Sequence, residues 1–111
     1  MSYKIIASKE FEKDLKRLVK KYASLAQETT NLVKSIGDNP VQGTPIGKDC
    51  FKIRLAIKSK GRGKSGGARV ITCVFTLQEQ VVLLSIYDKA EKENISAKEL
   101  EDLLNNIARN Q

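Results

Sequence analysis

The sequence predicts an α+β fold: a small antiparallel or mixed sheet with a helical hairpin near its start and one helix at its end, in the order β-α-α-β-β-β-α. Two observations carry that reading. The spacing of apolar residues switches between a helical and a strand period in this order, and capping or turn residues stand where it switches. A third is length: 111 residues suffice for one core and not for two, so a single domain over residues 1–111 is expected.

Tyr3 to Ala7 reads as a short strand. Phe11, Leu15, Leu18, Val19 and Tyr22 then recur as one face of an amphipathic helix, with Ser8 placed to cap it. Ser24 with Gln27 three residues on is a capping-box pattern opening a second helix, which carries Leu25, Leu32, Val33 and Ile36 until Gly37-Asp38-Asn39-Pro40 stops it. Gly43, Pro45 and Gly47 mark the next stretch as a loop. Phe51 to Lys58 alternates with period two, so Phe51, Ile53, Leu55 and Ile57 face a core while Lys52, Arg54 and Lys58 face outward. Arg69–Leu77 and Val81–Tyr87 are β-rich and apolar in part on both faces, as central strands are. A second capping box, Ser96 with Glu99, opens the last helix, whose apolar side is Leu100, Leu103, Leu104 and Ile107.

Composition narrows the function. No apolar run approaches the ~18 residues of a membrane span, and the N-terminus has no signal-peptide core, so no membrane partner and a cytoplasmic location are expected. Cys50 and Cys73 have no histidine anywhere to complete a metal site or to serve as base, so two free thiols, no metal and no cofactor are expected. The net charge of +7 is concentrated: between Lys48 and Arg69 stand eight cations, Lys48, Lys52, Arg54, Lys58, Lys60, Arg62, Lys64 and Arg69, against one anion, Asp49. The charge elsewhere balances. A field so localised points to a polyanion such as nucleic acid, or to an acidic protein.

Within that segment Gly61-Arg62-Gly63-Lys64-Ser65-Gly66 matches a dinucleotide fingerprint by letters alone. The fingerprint works by leading a strand into a helix N-terminus, whereas Ala68 to Phe75 continues as a strand. A P-loop fails too, because its first glycine would fall at Lys58. What remains is a basic glycine loop, Ser59 to Gly67, whose backbone N–H groups and the cations Lys58, Lys60, Arg62 and Lys64 suit RNA phosphates. RNA brings its own nucleophile, the 2′-OH. Scission needs only a base for that proton, cations for the phosphorane and an acid for the leaving 5′-oxygen. With no histidine, the base must be Lys, Tyr or a carboxylate.

Taken together, Cys50-Phe51-Lys52-Ile53-Arg54-Leu55, then Lys60 to Ile71, then Leu84-Ser85-Ile86-Tyr87-Asp88-Lys89 resemble the RelE/ParE toxin superfamily, most closely its HigB-type branch. The resemblance spans nearly the whole chain and implies a RelE/ParE-like fold. It further implies a type II toxin acting as a ribosome-dependent, metal-independent mRNA endoribonuclease. Its implied partners are mRNA in the ribosomal decoding site, ribosomal RNA and a cognate antitoxin, HigA-like with a helix-turn-helix. Residue by residue, Lys52 and Arg54 match the paired basic positions of which one is a proposed base. Arg69 matches the arginine that stabilises the phosphate, and Lys89 a basic position after the last strand. Where such toxins carry a catalytic tyrosine this chain has Ile95, leaving Tyr87 either to stack or move a proton, or to pack.

Two other functions share parts of this pattern. A ParE-like poison of DNA gyrase would share the fold without needing Lys52, Arg54 and Arg69. A non-catalytic RNA-binding module would show exposed aromatics, and with 5% aromatic residues, mostly at core-like positions, this chain offers few.

Overall fold

The computed structural model describes residues 2–61 and 63–110, the side chains of Lys64 and of residues 108–110 excepted. Its elements are β1 (Lys4–Ala7), α1 (Lys9–Lys21), α2 (Leu25–Asp38), β2 (Thr44–Gly47), β3 (Cys50–Leu55), two 3-10 turns (Lys58–Lys60 and Lys64–Gly66), β4 (Ala68–Phe75), β5 (Gln80–Asp88) and α3 (Ala97–Asn110). The strands form one sheet in the order β1-β5-β4-β3-β2, with β1 parallel to β5 and every other pairing antiparallel. The α+β class and the order of helices stand as read. One strand was missed.

That strand is β2, read from sequence as a loop. Only Ile46 of its four residues is half-buried, so hydropathy carries no trace of it. Pro45, which cannot donate to a ladder, is tolerated because β2 is an edge. Gly43 at φ +89° lets the chain pass so close that a Cβ would lie 2.3 Å from the Lys52 carbonyl oxygen.

The sheet has two covered faces. On one, Phe11, Leu18, Tyr22, Leu25, Leu32 and Ile36 of the α1–α2 hairpin pack on Ile53, Val70, Val81, Leu83 and Ile86. On the other, Leu100 of α3, with Leu103, Leu104 and Ile107, packs on Cys50, Ile71, Cys73, Val82, Leu84 and Tyr87. Strands β4 and β5 are buried on both faces, which explains why each carries apolar residues on both sides.

Within β5 the alternation is broken once. Ile71 pairs with Ser85 and Thr72 with Leu83, so Leu84 is an extra residue with no partner in β4. Its carbonyl accepts the Ser8 hydroxyl at 3.2 Å, while the Ser8 oxygen caps α1 by accepting the Phe11 N–H at 3.1 Å. Beyond the bulge the faces exchange. Ile86 and Asp88 join Val81 and Leu83 on the hairpin side, and Tyr87 joins Val82 on the α3 side.

The other helix starts differ from one another. Ser96 and Glu99 form the expected capping box, each side chain accepting the other's backbone N–H at 3.1 Å. Ser24 does not cap α2. Its hydroxyl donates to Glu28 at 3.0 Å and accepts the Ser59 N–H at 2.9 Å, while Glu28 accepts the Lys58 N–H at 2.7 Å. Glu28, not Gln27, answers Ser24, because a second segment docks on this helix start. The first half of the segment read from sequence as a basic glycine loop is thus a 3-10 turn clamped to α2.

Behind that turn lies Asp88, fully buried and hydrogen-bonded by Tyr22 Oη and Lys60 Nζ at 2.5 Å each and by the Ala90 N–H at 2.9 Å. Burial pushes this carboxyl up, but the bonds from Lys60, Tyr22 and Ala90 together outweigh it and hold the pKa at about 2. Because the folded value lies below the unfolded 3.8, the unfolded chain binds the proton first. The stabilisation is therefore complete above about pH 5 and lost as pH falls toward 2, amounting to about 2 kcal/mol. Urea titrations at pH 7, 4 and 2.5 are expected to show that loss. Asp88→Asn, which leaves the Lys60 ammonium buried without its charge partner, should cost about 3 kcal/mol at pH 7 and flatten the acid limb.

Candidate nucleic-acid interface and cleft

Strands β3, β4 and β5 place Arg54, Arg69 and Tyr87 side by side in one row on the α3 face, with Lys52, Ile71 and Ser85 in the next. The period-two pattern of β3 turns Lys52 and Arg54 to this face, away from Ile53 and Leu55. Over these rows opens a shallow cleft of about 80 Å³ lined by Lys52, Arg54, Ser65, Arg69, Lys89, Glu93 and Asn94. Four cations thus share a small volume with a single carboxylate. Arg54 and Arg69 stand directly opposite on adjacent strands, so two like charges face the same cleft, an arrangement suited to an anion.

The cleft is held in shape from behind. Arg69, 3% exposed, donates from Nη1 to the Ala68 carbonyl at 3.0 Å and from Nη2 to the Ser65 carbonyl at 2.9 Å, which fixes its guanidinium fork. Lys52 Nζ donates to Asn94 Oδ1 at 2.7 Å, tying β3 to the segment that precedes α3. Lys89 is brought in by its backbone, whose N–H donates to the Gly67 carbonyl at 3.0 Å. Gly67 itself lies where a Cβ would sit 2.1 Å from the Leu55 carbonyl oxygen, so only glycine lets the loop close onto the end of β3.

A larger cavity, about 330 Å³, lies between the start of α1 and α3, lined by Ile6, Val82, Leu103 and Ile107 among others. Its charged lining is Lys9 with Glu10 and Glu12, so it does not gather positive charge as the smaller cleft does, and the cleft is the better candidate for chemistry on a phosphate. Among the described residues no group of acidic, Cys or His side chains is arranged to hold a metal ion.

The RelE family model, described as the RelE toxin of the RelE/RelB toxin–antitoxin system, matches residues 4–110. The chain belongs to the RelE toxin family. Among solved structures, a free E. coli RelE carrying two arginine-to-alanine substitutions superposes with a TM-score of 0.67 at 16% identity, covering 96% of this chain and 99% of that one. The intact E. coli RelBE toxin–antitoxin complex gives 0.61 at 17% identity, covering 78% and 96%. The RelBE2 toxin–antitoxin complex of Mycobacterium tuberculosis gives 0.58 at 16%, covering 79% and 99%. Identities this low establish the shared fold. No curated protein sequence matches the chain.

In this RelE-family chain the residues singled out from sequence separate into three groups. Lys52, Arg54, Arg69 and Lys89 meet in the cleft. Tyr87 lies beneath it, 3% exposed, its hydroxyl buried without a hydrogen bond of good geometry among the described residues. Burial raises its pKa against the pull of the Arg69 charge, and Lys92 Nζ sits 4.9 Å from the ring centre. Burial leaves the ring no open face for stacking on a base; packing is the reading the structure favours. Ile95 packs in the same cluster.

The loop cations lie elsewhere. Lys58 is exposed on the turn against α2 and does not continue the face of Lys52 and Arg54, because β3 ends at Leu55 and Ile57 turns into the core. Lys60 was expected on RNA, but its ammonium points inward to Asp88 and is 16% exposed, so it serves the fold. Arg62 lies outside the described residues, as does the side chain of Lys64, whose backbone forms the second turn. Sequence reasoning missed Ser65, Glu93 and Asn94. Of the two glutamates close to Lys89 in sequence, Glu91 pairs with Arg17 at 2.9 Å and Glu93 lines the cleft. The available signal was position: Glu93 and Asn94 directly precede Ile95, where the resemblance puts a functional side chain.

Gly67→Ala is expected to cost about 1–3 kcal/mol by forcing the loop off β3. Gly63→Ala, with nothing within 4 Å of a new Cβ, is expected to stay within about 0.5 kcal/mol. Urea unfolding of the two variants checks both values.

Proposed function

We propose that this chain is the toxin of a type II toxin–antitoxin pair and acts as a ribosome-dependent endoribonuclease. It cuts mRNA in the decoding site through attack of the 2′-OH on the adjacent phosphate, which stops translation. The observation that carries this reading is the convergence of Lys52, Arg54, Arg69 and Lys89 around one small cleft. Cations fixed in advance around a phosphate stabilise the extra negative charge of the phosphorane without reorganising during the reaction. The partners on this reading are mRNA, ribosomal RNA and a cognate antitoxin, HigA-like on the sequence resemblance. The place of action is the cytoplasm.

The roles follow from geometry. Arg69, anchored by two carbonyls, and Arg54 across from it grip the non-bridging oxygens. Lys52, oriented by Asn94, donates toward the phosphorane or the leaving 5′-oxygen, with Lys89 adding its charge to the same lining. Glu93 supplies the one carboxylate in the lining, and an ionised carboxylate is a proton acceptor without further activation. We assign it the proton of the 2′-OH.

Induction during active translation followed by mapping of new mRNA 5′ ends tests the proposal. Codon-phased cuts are expected, reduced by about 10²–10³-fold in Arg69→Ala and by about 10²-fold or more in Glu93→Gln. Cuts that persist in Arg69→Ala would refute the site. Growth arrest with intact message and damaged DNA would instead identify a gyrase poison.

A further inference from the structure

Cys50 of β3 and Cys73 of β4 are 1% and 2% exposed and stand directly opposite one another in the register. The Val74 N–H donates to the Asp49 carbonyl at 2.9 Å, a bond that brackets the pair from outside. Cys50 and Cys73 therefore occupy a non-hydrogen-bonded position, where the Cα atoms are about 4.5 Å apart and side chains approach most closely. A disulfide spans Cα separations of about 4.4–6.8 Å, so the backbone already meets its requirement at the short end. Both sulfurs also lie against one acceptor, the Lys48 carbonyl, at 3.4 Å from Cys50 and 3.7 Å from Cys73.

We propose that Cys50 and Cys73 form a reversible cross-strand disulfide by exchange with a low-molecular-weight disulfide such as oxidised glutathione. One thiolate attacks a sulfur of the small disulfide and releases the first small thiol. The remaining cysteine gives up its proton and attacks the mixed disulfide, releasing the second. Two cysteine thiols are oxidised and one small disulfide is reduced to two thiols.

This proposal is independent of the RNA-cleaving reading, although its consequence falls on the same part of the chain. The closed segment runs from Cys50 to Cys73 and contains Lys52, Arg54, both turns and Arg69. Closing it restricts the unfolded chain and staples the base of the basic hairpin. The same exchange runs backwards with excess small thiol, which makes the bond reversible. Entry for the small disulfide is expected from the β2 side, where an edge strand of four residues is the element least firmly held.

The full chain, unfolded in urea and refolded in glutathione buffers from fully reduced to fully oxidised, provides the test, because refolding removes any barrier from burial. The expected product is a monomer with a mass loss of 2 Da and no alkylatable thiol. Trypsin should release the peptide Asp49–Lys52 linked to Val70–Lys89, and excess reduced glutathione should reverse the change. Its Tm should exceed that of the reduced chain by roughly 5–10 °C. Cys50→Ser and Cys73→Ser should refold with one free thiol and show no such shift. Two alkylatable thiols at the oxidised limit, a persistent glutathione adduct or a disulfide-linked dimer would each overturn the proposal.

Discussion

Leu84 stands in β5 without a partner in β4, and every residue after it changes faces. With uninterrupted alternation from Val81, Tyr87 would point at the helical hairpin and Asp88 at the cleft. The extra residue reverses both. Its carbonyl, released from the ladder, is satisfied by the Ser8 hydroxyl, so the bulge and the start of α1 are fixed by one oxygen. A buried bulge left with an unpaired carbonyl would be costly, and the serine removes that cost.

Asp88, once turned to the hairpin face, organises the loop. Its carboxylate takes Tyr22 from the end of α1 and Lys60 from the basic turn, and so joins a helix, a strand and a loop at a point without solvent. A buried ion pair adds little net stability over an apolar replacement, but it is specific about position. Here it determines which loop lysine turns inward. With the first turn docked on α2 and Gly67 seated against Leu55, the chain enters β4 with Arg69 already directed toward Arg54.

The result is a division of labour among cations that look alike in sequence. Those on strands are presented by the pleat and gather in the cleft, where Asn94 holds Lys52 and two carbonyls hold Arg69. Lys60, in the loop, is consumed by a carboxylate. Localised charge is therefore a sound guide to the segment that builds a cationic surface and a poor guide to which lysine faces it. The cysteine pair follows the same logic: two residues far apart in sequence and individually inert become neighbours because β3 and β4 are in register.

The sequence by itself determined the α+β class, the helical hairpin, the two buried strands, the final helix with its capping box, the outward face of Lys52 and Arg54 and membership of a toxin superfamily. The structural elements follow from periodicity and capping, which act over a few residues, and the superfamily from the resemblance of its strand and loop motifs. Only the tertiary structure decided the β2 edge strand, the bulge, the partner of Asp88, the inward turn of Lys60, the burial of Tyr87 and the arrival of Glu93 and Asn94 in the cleft. Each depends on backbone hydrogen bonds or charge pairs between segments distant in the chain. Such contacts leave no period in the residues that make them, because a single inserted residue exchanges the faces without altering the local composition.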